Sequence, residues 1–216
     1  MAFSPLRQAL FFAIVGLGTV AIAMTVSSRE PQEPDLTIIV DRSDTSIEMF
    51  MKASASDYVH LLGTQFDGFV KPDGTVDYQT IREKGSFDIA DKMFERVGTT
   101  VGSQSVDFES MSMMVHPPRL QFPLETPLDG LLATSVCTTD PPKGPVSLDD
   151  MEAFAGFIAY HADTDRTIEF KFPSTGREPL RVSVHQFVDG RSAGRTESVL
   201  ADGATLVVEP IETIGL

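Results

Sequence analysis

From residue 36 onward the apolar positions of this chain fall into short alternating runs and a few helically spaced ones. Leu36 to Val40 is a β-branched run and Ile47 to Met51 a second apolar stretch; the polar turn Asp41-Arg42-Ser43-Asp44 between them predicts two strands. Ala53 to Leu62 fits a short helix or a loop followed by a strand. Phe66, Phe69 and Val70 lead into Pro72-Asp73-Gly74 and then Val76 and Tyr78, a turn joining two short strands. Over Ser86 to Val97 the spacing of Ile89, Met93 and Val97, with Ala90 and Phe94 beside them, predicts a helix capped by Ser86 and ended by Gly98.

Val106 and Phe108 alternate on one parity and Met111, Met113 and Val115 on the other, so one strand over Ser105 to Val115 needs a bulge near Glu109-Ser110. Leu120, Phe122 and Leu124 read as an edge strand, where Pro123 and Pro127 are tolerated. After the Pro/Gly-rich stretch 140–145, Ser147 and Asp150 resemble a capping box, and Leu148, Met151, Phe154, Ala155 and Ile158 mark a helical face. From Thr167 a period of two takes over, through Ile168, Phe170 and Phe172, then Leu180, Val182 and Val184, then Thr205 to Glu209. Turns at 174–176, Asp189-Gly190 and Asp202-Gly203 separate these, which predicts three or four antiparallel strands with one wet face.

Residues 9–26 carry no charge and as a helix would reach about 27 Å, near the thickness of a bilayer's hydrocarbon core. Apolar residues continue past Ala21-Ile22-Ala23, which would serve as a small-residue cleavage site, and this favours an uncleaved signal anchor over a cleaved signal peptide and secreted body; a buried or interfacial helix is the third reading. Arg7 before the run, against Arg29 after it, places the N-terminus on the cytoplasmic side and the body outside, in the periplasm if the cell is bacterial. The organisation expected is a tail over 1–8, a transmembrane anchor over 9–26, a Pro-containing stalk over 27–35, a body over 36–210 and a tail over 211–216. The body is one domain, or two lobes divided near 140–145.

Charge narrows the class of partner. All 31 acids and 16 of the 17 Lys and Arg lie after residue 26, in a chain whose formal charge is −14, so the basic footprint that nucleic acid requires is absent. With one cysteine, Cys137, no intrachain disulfide can form, and a buried small hydrophobe is its simplest role.

Candidate chemistry is sparse. The histidines His60, His116, His161 and His185 belong to no metalloprotease or zinc motif, and no nucleophile elbow, phosphate loop or dinucleotide fingerprint occurs. Met111, Met113, Met114 and His116, with Met49, Met51 and Cys137, are ligand types that select Cu(I), yet on a strand Met111 and Met113 face away from Met114 and His116. His161, Asp163 and Asp165 share one parity and could hold a divalent ion, but they fall where a turn is expected.

These patterns predict an α+β fold: an N-terminal transmembrane helix followed by an antiparallel β-rich body with about two covering helices. The function expected is a membrane-anchored extracytoplasmic interaction or assembly protein of a membrane or envelope complex, without a catalytic set, a cofactor or a metal. Its partners would be the membrane, through residues 9–26, and another membrane or envelope protein. The alternative is an anchored or secreted hydrolase or a copper-handling protein that uses Cys137, His116 or the His161, Asp163 and Asp165 set.

Overall fold

The computed structural model describes residues 33–62, 71–73, 75–77, 95–117, 120, 122–136, 144–160 and 162–211. Strand β1 (Leu36–Arg42) turns through the Ser43 side chain, which accepts the Ser46 N–H at 3.1 Å, into β2 (Ser46–Ser54). Ser54 then caps helix α1 (Ala55–Leu62): its hydroxyl accepts the Asp57 N–H at 3.0 Å and donates to the Asp57 carboxylate at 2.7 Å. Next come β3 (Gly98–Val101), β4 (Gln104–Ser105), β5 (Glu109–His116), helix α2 (Pro127–Ser135) and a single 3-10 turn at Leu148–Asp150. The chain closes with β6 (Glu152–Tyr160), β7 (Ile168–Lys171), β8 (Leu180–Val188), β9 (Arg191–Leu200) and β10 (Thr205–Val208).

Six strands form the main sheet in the order β5-β6-β2-β1-β8-β9, and four form a smaller one in the order β10-β7-β3-β4. All pairs are antiparallel except β1 with β8, so the main sheet is mixed. Alternation sends Leu36, Ile38 and Val40 of β1, Met49 and Met51 of β2, and Val182 and Val184 of β8 to one face. There they meet Val101, Ile168, Phe170, Leu206 and Val208 of the smaller sheet in one core. The other face carries Ile39, Phe50, Phe154 and Phe187, which pack with Leu124 and Ala133 in a second cluster.

Arg42, at the end of β1, ties the two sheets together. It is 5 % exposed; one guanidinium nitrogen donates to the carbonyls of Thr164 and Arg166, both at 2.8 Å, and the other to Val208 at 3.2 Å. Burial lowers its pKa, opposed by Asp165 and Glu209.

Several expectations are corrected. The two helices have 8 and 9 residues, about 12 and 14 Å against the roughly 30 Å of a bilayer core, and no helix among the described residues is long and apolar enough to cross a membrane. The described body is a mixed α+β fold with two helices, and the apolar run 9–26 lies outside the described residues. The transmembrane signal anchor, the single-pass topology with an extracytoplasmic body and the membrane partnership therefore have no spanning helix to rest on.

The helix read over Leu148 to Ile158 is the 3-10 turn followed by β6. Central in the sheet and covered on both sides, β6 is apolar all round, and such a run matches helical and strand spacing alike. The edge strand read over Leu120 to Leu124 is instead coil at its described residues and leads into α2. Nor do the C-terminal strands form one antiparallel set, since β8 and β9 join the main sheet and β7 and β10 the smaller one. Most of the helix read over Ser86 to Val97 lies outside the described residues. The β1–β2 hairpin is present, and β5 carries a bulge between Ser110 and Ser112, close to the expected one.

Replacing Arg42 by Met keeps the volume but removes every donor to the Thr164, Arg166 and Val208 carbonyls. R42M is expected to lose about 2–4 kcal/mol of stability in denaturant unfolding. A loss below about 0.5 kcal/mol, the usual range of surface substitutions, would show that the sheets do not depend on this tie.

Candidate functional site

Helix α2 is started by a complete capping box. The Asp129 carboxylate accepts the Thr126 N–H at 2.8 Å, the Thr126 hydroxyl accepts the Asp129 N–H at 3.2 Å, and Pro127 occupies the first turn. Its far end is closed by side chains of β5: His116 Nε2–H donates to the Ala133 carbonyl at 2.7 Å and the Ser112 hydroxyl to that of Thr134 at 2.8 Å. Carbonyls of a last helical turn have no partner within the helix, so these two bonds supply what the backbone lacks.

What α2 turns inward is small. Gly130, Ala133 and Thr134 are buried, and a Cβ placed on Gly130 would lie 2.3 Å from Cγ of Phe50. The Phe50 ring also lies against Gly156 of β6, where a Cβ would meet it at 3.1 Å. The outward face is large and apolar: Leu128 is 61 % exposed, Leu131 43 %, Leu132 48 % and Val136, just past the end, 40 %. This reverses the usual amphipathic order, in which the large apolar side chains face the core.

Beside α2 the same face of the main sheet stays open. A cleft of about 780 Å³ has as its floor Thr37, Lys52 and His185, and the loop Pro123, Leu124 and Glu125 that enters α2 forms one wall. Seven carboxylates line it against two fixed cations, Lys52 and Arg195. Lys52 pairs with Glu152 at 2.9 Å, donates to the Phe122 carbonyl at 3.2 Å and sits 5.5 Å from the centre of the Phe154 ring. Asp35 is held by Arg181 at 2.6 Å, and that side-chain bond lowers its pKa. Glu33, Glu125 and Asp149 are exposed and form no ion pair with a described residue.

Within the cleft His185 Nε2 lies 3.0 Å from the Ser183 hydroxyl. The distance suits a nucleophile and its base. Ser183, however, is completely buried, so no substrate reaches its oxygen, and the hydrogen bond between Glu125 and His185 is made by the Glu125 backbone, its carboxylate acting on the ring through charge alone. Burial, then Arg195, pushes the His185 pKa down.

The candidates read from the sequence do not converge. Met49, Met51 and Met113 lie in the core between the sheets, whereas Met111 packs on the α2 side. His116, fully buried against Phe122 and Phe154 with ring centres 4.5 and 5.5 Å away, caps α2. Asp163 pairs with Arg166 at 3.0 Å on the surface and Asp165 is exposed, while His161 and Cys137 lie outside the described residues. Among the described residues no group of three or more His, Cys, Asp or Glu is placed to hold a metal ion. The copper-handling and hydrolase alternatives are therefore corrected, as is the membrane-anchored assembly role that required a spanning helix. Periodicity does not single out the leucine face of α2; the Thr126-Pro127-Leu128-Asp129 cap is the sequence feature that marks this helix. No family model and no curated protein matches this chain.

Two substitutions test this construction. In an exposed helix Gly130→Ala would stabilise by about 1 kcal/mol; against Phe50 it is expected to lower stability by about 1–2 kcal/mol, read by thermal unfolding. The pKa of His116 is lowered, chiefly by burial. The unfolded chain therefore takes up a proton first, near its ordinary value of about 6.5, and stability present above that pH falls as pH drops toward the folded-state pKa. H116Q, which keeps a donor for Ala133 but does not titrate, is expected to flatten the fall in stability between about pH 7 and 5. An unchanged slope would show that His116 is not its source.

Proposed function

We propose that this chain is a protein-recognition module in which the leucine face of α2 and the adjoining acidic cleft take up an amphipathic, basic segment of another protein. The observation that carries this reading is the exposure of Leu128, Leu131, Leu132 and Val136 along one face of a helix anchored through glycine, alanine and threonine. A cluster of large exposed apolar side chains costs solubility and is characteristic of a contact surface. A groove or partner helix reads such a face through anchors spaced three and four residues apart.

The cleft supplies the second half of the chemistry. Glu125, on its wall, lies three residues before Leu128, and Glu33, Glu125 and Asp149, which form no ion pair with a described residue, give a cationic segment its counter-charges. Exposed pairs of this kind speed encounter and select the sign of the partner more than they add affinity. The apolar face then supplies most of the binding energy.

A labelled amphipathic Leu/Lys helix peptide, with a Leu/Glu peptide of the same apolar pattern as its control, tests both halves by fluorescence anisotropy. The Leu/Lys peptide is expected to bind, less tightly as salt is raised, and the Leu/Glu peptide to bind at least about tenfold more weakly. L128E/L131E/L132E is expected to weaken binding at least about tenfold while thermal unfolding shifts by only a few degrees. Equal binding of both peptides, or a triple variant that binds like the unsubstituted chain, would overturn the reading.

A further inference from the structure

Strand β9, at ten residues the longest strand among the described residues, forms one edge of the main sheet, where only β8 of those residues pairs with it. Its sequence, ArgSerAlaGlyArgThrGluSerValLeu, has neither Pro nor Lys, the residues that most often guard an edge. Arg195, Thr196, Glu197 and Ser198 are exposed, and Val199 is 69 % exposed.

The backbone groups that face outward are fixed by β8. The Arg181 N–H donates to the Asp35 carboxylate at 2.8 Å, and its carbonyl accepts the Asp35 N–H at 2.9 Å, so both polar groups of Arg181 point toward β1. Alternation turns those of Val182 and Val184 toward β9, where they face Ser198 and Thr196. The N–H and carbonyl groups of Arg195, Glu197 and Val199 consequently point away from β8, along the free edge.

We propose that this edge is a self-association surface, on which a second copy of this chain lays its own β9 antiparallel about a two-fold axis at Thr196. In that register Arg195 of each copy stands opposite Glu197 of the other, as hydrogen-bonded pairs built from the outward backbone groups of both residues. Arg195 and Glu197 already pair within one strand at 2.9 Å, so the two-fold closes a ring of two arginines and two glutamates. A register centred on Arg195 or on Glu197 would set like charges face to face, which the alternation of sign around Thr196 avoids. The bulge between Gln186 and Phe187, which leaves Ala193 without a partner on β8, confines regular pairing to the stretch from Gly194 onward. Gly194 then falls opposite Ser198, and the contact is short. The edge shares with the α2 reading the Arg195 side chain, which also lines the cleft, whereas Glu197 does not line it.

Sedimentation velocity of the full-length chain, run over a concentration series, tests the proposal. A monomer–dimer equilibrium is expected with Kd of about 10–100 µM, the weak end of specific association. R195E and E197R each set like charges opposite one another and are expected to weaken dimerisation at least about tenfold, while R195E/E197R restores it to within about threefold. Amide exchange supplies a second readout: Arg195 and Glu197 gain protection as concentration rises, whereas Thr196 and Ser198, bonded to β8, are protected in the monomer. A chain that stays monomeric to about 500 µM overturns the proposal. Association insensitive to both single reversals, or not rescued by the double one, does the same, because it places the contact elsewhere in the chain.

Discussion

The central strands of the main sheet are apolar on both faces, and the rest of the structure is arranged to cover them. Ile38 and Ile39, or Met49 and Phe50, are neighbours on one strand that point in opposite directions and are both fully or almost fully buried. One cover is the smaller sheet, held in place at its rim by the buried Arg42 guanidinium. The other is α2, about 14 Å long, on a sheet about 24 Å across. A helix of that length shields Ile39, Phe50, Phe154 and Phe187 and leaves the remainder of the face to polar side chains. The cleft is therefore the part of the sheet that its second cover does not reach.

Phe50 decides which way α2 faces. Its ring fills the space in which a helix would ordinarily insert a leucine, so the contact is possible only with glycine at position 130 and small residues at 133 and 134. Helix propensity then draws on leucine for the positions that remain, and these point outward. Two effects oppose each other here: close packing against an aromatic ring gains dispersion contacts, and exposed leucines cost free energy in water. The second cost persists in the isolated chain and is relieved when another surface covers α2.

Legibility followed burial pattern. The β1–β2 hairpin announces itself through its β-branched and apolar runs and the polar turn between them, and β7 through a clean alternation of buried and exposed positions. β6 does not, because AlaPheAlaGlyPheIleAla is apolar at every position and a strand buried on both faces leaves no period to read. α2 is hidden for the opposite reason: its leucines lie on the solvent side, its buried stripe is Gly130, Ala133 and Thr134, and Pro127 reads as the end of a strand as easily as the start of a helix. The cleft is less legible still, since Lys52, Glu125, His185 and Arg195 meet through the register of β2, β8 and β9 and not through any local spacing. His116 shows the limit for single residues. As a ligand type it suggested copper, while its place opposite the last turn of α2 makes it a helix cap.

The two surfaces are linked by geometry. Residues directly opposite in an antiparallel pair project to the same side of the sheet, so Arg195 of one copy and Glu197 of the other share a face. Arg195 also lines the cleft, which puts the cleft on that face of each copy. Pairing β9 edges about Thr196 thus sets two clefts and two α2 helices on one side of a continuous sheet. A partner that carries its basic segment twice, or is itself two-fold, would engage both, and the second contact would form at the high effective concentration that a shared scaffold provides. A weak edge contact suffices for this purpose, because binding of a bivalent partner to the pair stabilises the pair by the same free energy with which pairing strengthens binding.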